Sequence, residues 1–141
     1  MISKTWTFSS DREIEVKSFP NRRYGYNQKC KILDMDGPRT LYIKTGEYPK
    51  GVLKEVRVDI DREGTLARSM INNFCIMLNI ALQNNIPLES FGDEFIFTKF
   101  PPFGSVRGHK YIKMCSSPLD LIFRDLLITY CNREDLKHDP K

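Results

Sequence analysis

The feature that most constrains this chain is a change of hydrophobic period shortly after residue 60. Upstream, Leu41 and Ile43 alternate with Tyr42 and Lys44, and Val56, Val58 and Ile60 alternate with Arg57 and Asp59. Alternation of this kind marks strands with one buried and one wet face. Downstream, Leu66, Met70, Phe74, Met77 or Leu78, and Ala81 recur at three- and four-residue steps. That spacing marks one face of a helix. The two periods cannot share an element, so strands must end and a helix must begin between them. Gly64-Thr65 is a suitable start, and Asn84-Asn85 before Pro87 a suitable stop.

The flanking segments fit the same order of strands first and helices after. A strand over 28–33 ends at Asp36-Gly37-Pro38, a tight turn, and the next strand over 40–45 ends in a turn over 46–51. Short extended pieces are expected at 5–8 and 14–16, as a strand or hairpin in an N-terminal extension over 1–21. Pro87 opens a short second helix, residues 94–100 fit neither period, and Pro101-Pro102-Phe103-Gly104 breaks the chain. Ser117-Pro118-Leu119-Asp120 combines a helix cap, a proline at the first helical position and an acid in the first turn. The tail 132–141 is polar and is expected to fray. The expected fold class is α+β: a small antiparallel sheet of three or more strands, N-terminal, covered on one face by two or three helices.

Size bounds the chemistry. With 141 residues there is room for one domain. A catalytic barrel of about 250 residues does not fit. No apolar run approaches the roughly 20 residues of a membrane span, and Met1 to Trp6 lacks a secretory core. A cytoplasmic protein with no membrane contact is expected. Cys30, Cys75, Cys115 and Cys131 are far apart, and only His109 and His138 are available, so no metal site is expected. No catalytic motif stands out, so no catalytic residue is assigned.

Charge is uneven. Residues 1–60 hold 12 Lys and Arg against 8 Asp and Glu, the whole net charge of +4. Within them Arg22, Arg23 and Lys29 interleave with Tyr24 and Tyr26. Cations attract phosphates, and aromatic faces stack on bases. The segment 104–110 offers glycines with Arg107, His109 and Lys110, a suitable anion loop. Arg68 lies near the positive end of its helix, where a cation is disfavoured. It must either pair with Glu63 or Asp59 or await an anionic ligand. Thr45, Glu47 and Tyr48 form a polar hairpin tip that turn chemistry alone does not explain.

Several stretches together resemble a known family. Arg22-Arg23-Tyr24-Gly25-Tyr26-Asn27-Gln28-Lys29 is similar to an RR-x-GYTQK stretch, and Lys44-Thr45-Gly46-Glu47-Tyr48 to an RTGEY stretch, of vitamin B12-dependent (class II) ribonucleotide reductases. Residues 51–64 resemble a G-x-L-x-E-I-x-I-D run, and Arg68-Ser69-Met70 with Asn72-Asn73-Phe74 a helix of the same proteins. Pro87-Leu88-Glu89, Phe97-Thr98-Lys99-Phe100, Ile112-Lys113-Met114, Leu119-Asp120 and Ile122-Phe123-Arg124 continue the resemblance, in order, over 22–131. The region is their C-terminal TSCPD domain. Asp61 stands where the family has a histidine, Gly108-His109-Lys110 where it has Gly-Asn-Asp, and Pro118 where it has an apolar residue.

The resemblance implies a non-catalytic stand-alone TSCPD-like module that binds the reductase large subunit or a nucleotide. It implies no cofactor on this chain, cobalamin belonging to a reductase partner. The alternative is a free-standing protein that binds or sequesters a nucleotide or nucleotide signal, in the sponge-like manner suited to a virus. Its expected ligand residues are Arg22, Arg23, Tyr24, Tyr26, Lys29, Thr45, Arg68, Arg107, His109 and Lys110. Single-stranded nucleic-acid binding through 17–31 is the third reading. Exposed sheet edges imply a homodimer or higher oligomer.

Overall fold

The computed structural model describes residues 21–138 in full, and the backbone of Ser3–Thr7 and Glu13–Lys17. Those two segments pair antiparallel as β1 and β2, a two-stranded sheet of their own. The basic-aromatic stretch upstream of residue 21 otherwise lies outside the described residues.

A five-stranded antiparallel sheet follows, built from β3 (Asn27–Asp34), β4 (Gly37–Tyr48), β5 (Val52–Ile60), β6 (Gly104–Arg107) and β7 (Met114–Cys115). Its order is β5-β4-β3-β6-β7, so the expected meander is extended on its β3 side by two strands from the second half of the chain. The segment 104–110, read from sequence as an anion loop, is thus in part a strand: Ile32 of β3 pairs with Val106 and Lys31 with Arg107. Four residues are too few for periodicity to announce a strand. Likewise Gly46-Glu47-Tyr48 is not a hairpin tip. The strand runs on to Tyr48, with a register shift between Gly46 and Glu47.

That irregularity has a purpose. Gly46 pairs with Glu55 and Glu47 with Leu53, which leaves Lys54 as the extra residue of a bulge. Leu53 and Lys54 are then both buried. Lys54 Nζ donates to the Leu82 carbonyl at 2.7 Å and to Asn85 Oδ1 at 2.8 Å. A cation from the sheet therefore meets the negative end of α1 (Thr65–Gln83), whose own last turn carries no basic residue. Burial holds the Lys54 ammonium below its ordinary range.

Helix α1 differs from its sequence reading in one respect. Its buried residues are Cys75, Leu78 and Leu82, with Ile71 and Phe74 packed beside them. Leu66, Met70 and Met77 are exposed. The inward face is rotated by roughly a quarter turn from the expected stripe, at 3.6 residues per turn. The helix carries two apolar stripes, and periodicity alone blends them.

Helix α2 (Pro118–Cys131) is buried almost all round, from Asp120 through Ile128. Ser117 caps it as expected, its Oγ accepting the Asp120 N–H at 2.9 Å, with Pro118 at the first position. Phe123 is fully buried. Its ring stacks on Phe95 at 4.6 Å and meets Phe74 edge-on at 6.0 Å. One apolar cluster joins the inward face of the sheet (Cys30, Ile32, Leu41, Ile43, Val56, Val58) with both helices. The expected α+β architecture is the one observed.

The stretch expected to fray after residue 132 is docked as far as it is described. Residues Glu134–Leu136 make a 3-10 turn with Leu136 buried. His138 closes it by donating its N–H to the Tyr111 carbonyl at 2.9 Å and accepting the Lys113 N–H on Nδ1 at 3.1 Å. Burial pushes the thiols of Cys30 and Cys115 up to about 12 and that of Cys75 up to about 11. The native state thus keeps these protons after the unfolded chain has lost them.

Two outcomes follow. Phe123→Ala costs about 3–5 kcal/mol of unfolding free energy in urea titration. The thiols' contribution to stability is fully present below pH 9 and is lost as pH rises from about 9 towards 12, because in that window the thiols ionise in the unfolded chain and not in the folded one. Urea midpoints measured across that range report the slope.

Candidate functional site

The residues expected to hold a ligand separate into three places. The first is half-buried, with only His109 fully inside. Tyr26 continues the inward parity of Cys30 and Ile32, and its hydroxyl donates a short hydrogen bond to Asp125 Oδ2 on α2. His109 Nε2 lies 2.7 Å from Asp125 Oδ1, and both side chains are almost fully buried. His109 Nδ1 accepts the backbone N–H groups of Tyr111 and Ile112 at 3.0 and 3.1 Å. The ring proton therefore sits on Nε2 and points at the carboxylate. Alongside, Tyr130 stacks on Tyr26 at 6.1 Å, donates to Glu47 Oε2 at 2.6 Å, and lies 3.0 Å from Thr45 Oγ1. Thr45 Oγ1 also accepts the Tyr26 N–H at 2.9 Å. Burial first, and the facing carboxylate second, push both phenols well above their usual range.

The polar groups of Tyr26, Thr45 and His109 are thus engaged by partners within the molecule. The sequence did not show these partners. Glu47, Asp125 and Tyr130 are the partners that occupy them, and Asp125 was visible only as an acid within an apolar helix. His109, read as added surface charge, is turned inward after Gly108, whose φ is +92°. The backbones of the two motifs also interlock. Thr45 N donates to the Tyr26 carbonyl at 3.0 Å, and Glu47 N to that of Tyr24 at 2.8 Å. Gly25 sits between them with φ +155°, and a Cβ there would stand 2.1 Å from the Thr45 oxygen.

The second place is the wet face of the sheet. Lys29 and Lys31 project from β3 opposite to the buried Cys30 and Ile32. Lys31 is directly across from Arg107 of β6, and Lys29 from Tyr42 of β4. Lys29 Nζ stands 5.9 Å from the Tyr42 ring centre. Like charges opposed across a strand pair destabilise it, and none of Lys29, Lys31 and Arg107 has a carboxylate within ion-pair distance among the described residues. Lys110, exposed at the end of this strip, stands 5.2 Å from the Tyr111 ring centre. Lys31 and Tyr42 were not among the expected ligand residues. The alternation that placed Cys30 and Ile32 inward contains the signal for Lys31, but the β3–β6 pairing does not show in the sequence. Arg22 and Tyr24 are exposed near the start of β3. Arg23 is held by Glu55 at 2.7 Å.

The third place belongs to Arg68. Neither acid named for it is its partner: Glu63 pairs with Arg39 at 3.3 Å and Asp59 with Lys44 at 3.5 Å. Arg68 faces a cleft of about 400 Å³ with Asp59, Thr65, Ser69 and Asn72, beside an α1 start that no side chain caps. The cleft adjoins β5, three strand positions from β6. At about 4.8 Å per strand, Arg68 and Arg107 are roughly 14 Å apart or more, so they do not share one small ligand site.

Residues 13–130 match the TSCPD domain. The chain belongs to the TSCPD family. It is 42% identical over 124 residues to a vitamin B12-dependent ribonucleotide reductase of Agrobacterium fabrum, which covers 88% of this chain and 9% of that protein. It is 43% identical over 127 residues to the protein of the same name from Bradyrhizobium diazoefficiens, covering 89% and 10%. A Rhodopirellula baltica relative of that name is 31% identical over 82% of the chain and 11% of its own length. The chain thus spans about a tenth of the curated relatives it matches. No solved structure matches it. Among the described residues no helix is long and apolar enough to cross a membrane, and no group of three His, Cys, Asp or Glu is placed to hold a metal ion.

The TSCPD motifs at residues 24–26 and 45–47 are therefore expected to act on stability. Gly25→Ala forces a Cβ onto the Thr45 oxygen and costs at least ~2 kcal/mol. Tyr26→Phe withdraws a hydrogen bond from a buried carboxylate and costs about 1.5–3 kcal/mol. Chemical denaturation of each variant checks these values.

Proposed function

We propose that this TSCPD domain is a non-catalytic module that binds the phosphates of a nucleotide on the outer face of its sheet. The observation that carries the reading is the Lys31–Arg107 pair, two opposed cations beside Lys29 with no carboxylate at ion-pair distance among the described residues. Such an arrangement is relieved by an anion, and Tyr42 between Lys29 and β5 offers a stacking surface. Thr45, Tyr26 and His109 take no part, since the core network occupies them. Arg68 takes no part either, being too far away. In this reading cobalamin and the radical chemistry stay with a reductase partner.

A second reading, association with a class II reductase large subunit, is favoured by one observation: the relatives carry the matching segment as a tenth of a protein named as a reductase. Affinity capture with a class II reductase lacking its own matching segment tests it. Failure to recover a complex removes it.

The nucleotide reading is tested by calorimetry of the full chain with nucleoside mono-, di- and triphosphates. The expected result is affinity that rises with phosphate number, falls at least tenfold in K31A/R107A, and is unchanged in R68A. Absence of heat at millimolar nucleotide overturns it. Binding that requires an oligonucleotide, with a salt slope of about −0.7 per phosphate contacted, identifies single-stranded nucleic acid as the ligand instead.

A further inference from the structure

The outer face of the sheet is not uniformly cationic. On its β3–β6 side Lys29, Lys31 and Arg107 have no carboxylate at ion-pair distance among the described residues. On its β4–β5 side the cations are balanced. Lys44 lies 3.5 Å from Asp59, and Glu55 holds both Arg57 at 3.6 Å and Arg23 at 2.7 Å. This difference gives a ligand on the face a direction. Its phosphates belong over β3 and β6, and its uncharged part over β4 and β5.

One row of the sheet register crosses both sides. Tyr42 of β4 is paired with Lys29 of β3 and with Asp59 of β5. Directly paired residues share a face, and Val58 and Ile60, the neighbours of Asp59, are buried, so this row lies on the outer face. Its order is carboxylate, phenol ring, ammonium. The Lys31–Arg107 row follows two residues along β3. At about 4.8 Å per strand and 3.4 Å per residue, the backbone positions of Asp59 and Lys31 are about 12 Å apart, and those of Asp59 and Arg107 about 16 Å. With the reach of the side chains, that matches a nucleoside diphosphate laid flat from the far edge of its base to its last phosphate.

The Asp59 side chain is 66% exposed, and its separation from Lys44 exceeds an ordinary hydrogen bond. An ionised carboxylate only accepts hydrogen bonds. A base stacked on Tyr42 must therefore turn donors towards Asp59. Guanine has two adjacent donors on its Watson–Crick edge, N1–H and the 2-amino group, and a carboxylate can accept both at once. Adenine sets an acceptor, N1, beside its single amino group, and uracil has one N–H between two carbonyls. We propose that the ligand of this face is a guanine nucleotide, with Asp59 reading the base edge, Tyr42 stacking on the ring, and Lys29, Lys31 and Arg107 holding the phosphates. The inference rests on the nucleotide reading above and adds the base to it.

Calorimetry of the full chain with guanosine, inosine, adenosine and uridine 5′-diphosphates tests this. The guanosine nucleotide is expected to bind about tenfold tighter than the adenosine and uridine ones, or more. The inosine nucleotide, which keeps N1–H and lacks the 2-amino group, falls between. Asp59→Asn, at an exposed position, is expected to bring guanosine diphosphate to within about twofold of adenosine diphosphate, with adenosine diphosphate bound no more weakly than by the wild type and the circular dichroism unchanged. A carboxylate that acted only by repelling phosphates would keep the ratio of the two when removed. Equal binding of guanosine and adenosine diphosphates by the wild type, a preference for adenosine or uridine, or a guanosine preference that survives D59N overturns the inference and leaves the nucleotide reading standing. Absence of heat with every one of these nucleotides at millimolar concentration overturns both.

Discussion

The fold depends on two buried carboxylates five residues apart on α2. A carboxylate removed from water is costly unless donors surround it. Asp125 meets that need with the Tyr26 hydroxyl from the start of β3 and His109 Nε2 from the segment after β6. Asp120 meets it with the N–H groups of Phe97 and Ser116, both at 3.0 Å, and with Arg124 at 2.9 Å. Arg124 in turn donates to the Leu136 carbonyl and lies 4.8 Å from the Phe97 ring centre. Each charge therefore stitches irregular backbone to the central helix. Replacing one partner would strand the charge, so these loops are held far more firmly than their lack of regular structure suggests.

This explains why most residues that identify the TSCPD family are structural here. Gly25, Tyr26, Thr45 and Glu47 belong to the interlock between the sheet and α2, while Asp120 and Arg124 tie α2 to the irregular segments at Phe97, Ser116 and Leu136. Tyr26 and Thr45 were expected to hold a ligand, and their hydroxyls hydrogen-bond within the molecule. The exposed cations lie on the opposite face of the sheet. There the same alternation that buries Cys30 and Ile32 expels Lys29 and Lys31 towards water, beside Arg107.

Helix α1 likewise divides its apolar residues between two faces. One stripe, Ile71, Cys75, Leu78 and Leu82, closes the core against β5. The other, Leu66, Met70, Met77 and Ile80, contributes little to the isolated chain and is exposed to solvent.

The sequence by itself determined the α+β class, the β3–β4–β5 meander, the span of α1 and the capped start of α2. These follow from local rules: period, turn residues, and the Ser117-Pro118 cap. It also showed the family, because the motifs recur in order. Only the tertiary structure decided which α1 stripe faces inward, that residues 104–107 form a strand, and that Tyr26, Thr45 and His109 bond within the molecule. Those outcomes rest on partners distant in the chain, such as Asp125 for Tyr26 and Lys31 for Arg107. No local period encodes a pairing across 76 or 99 residues.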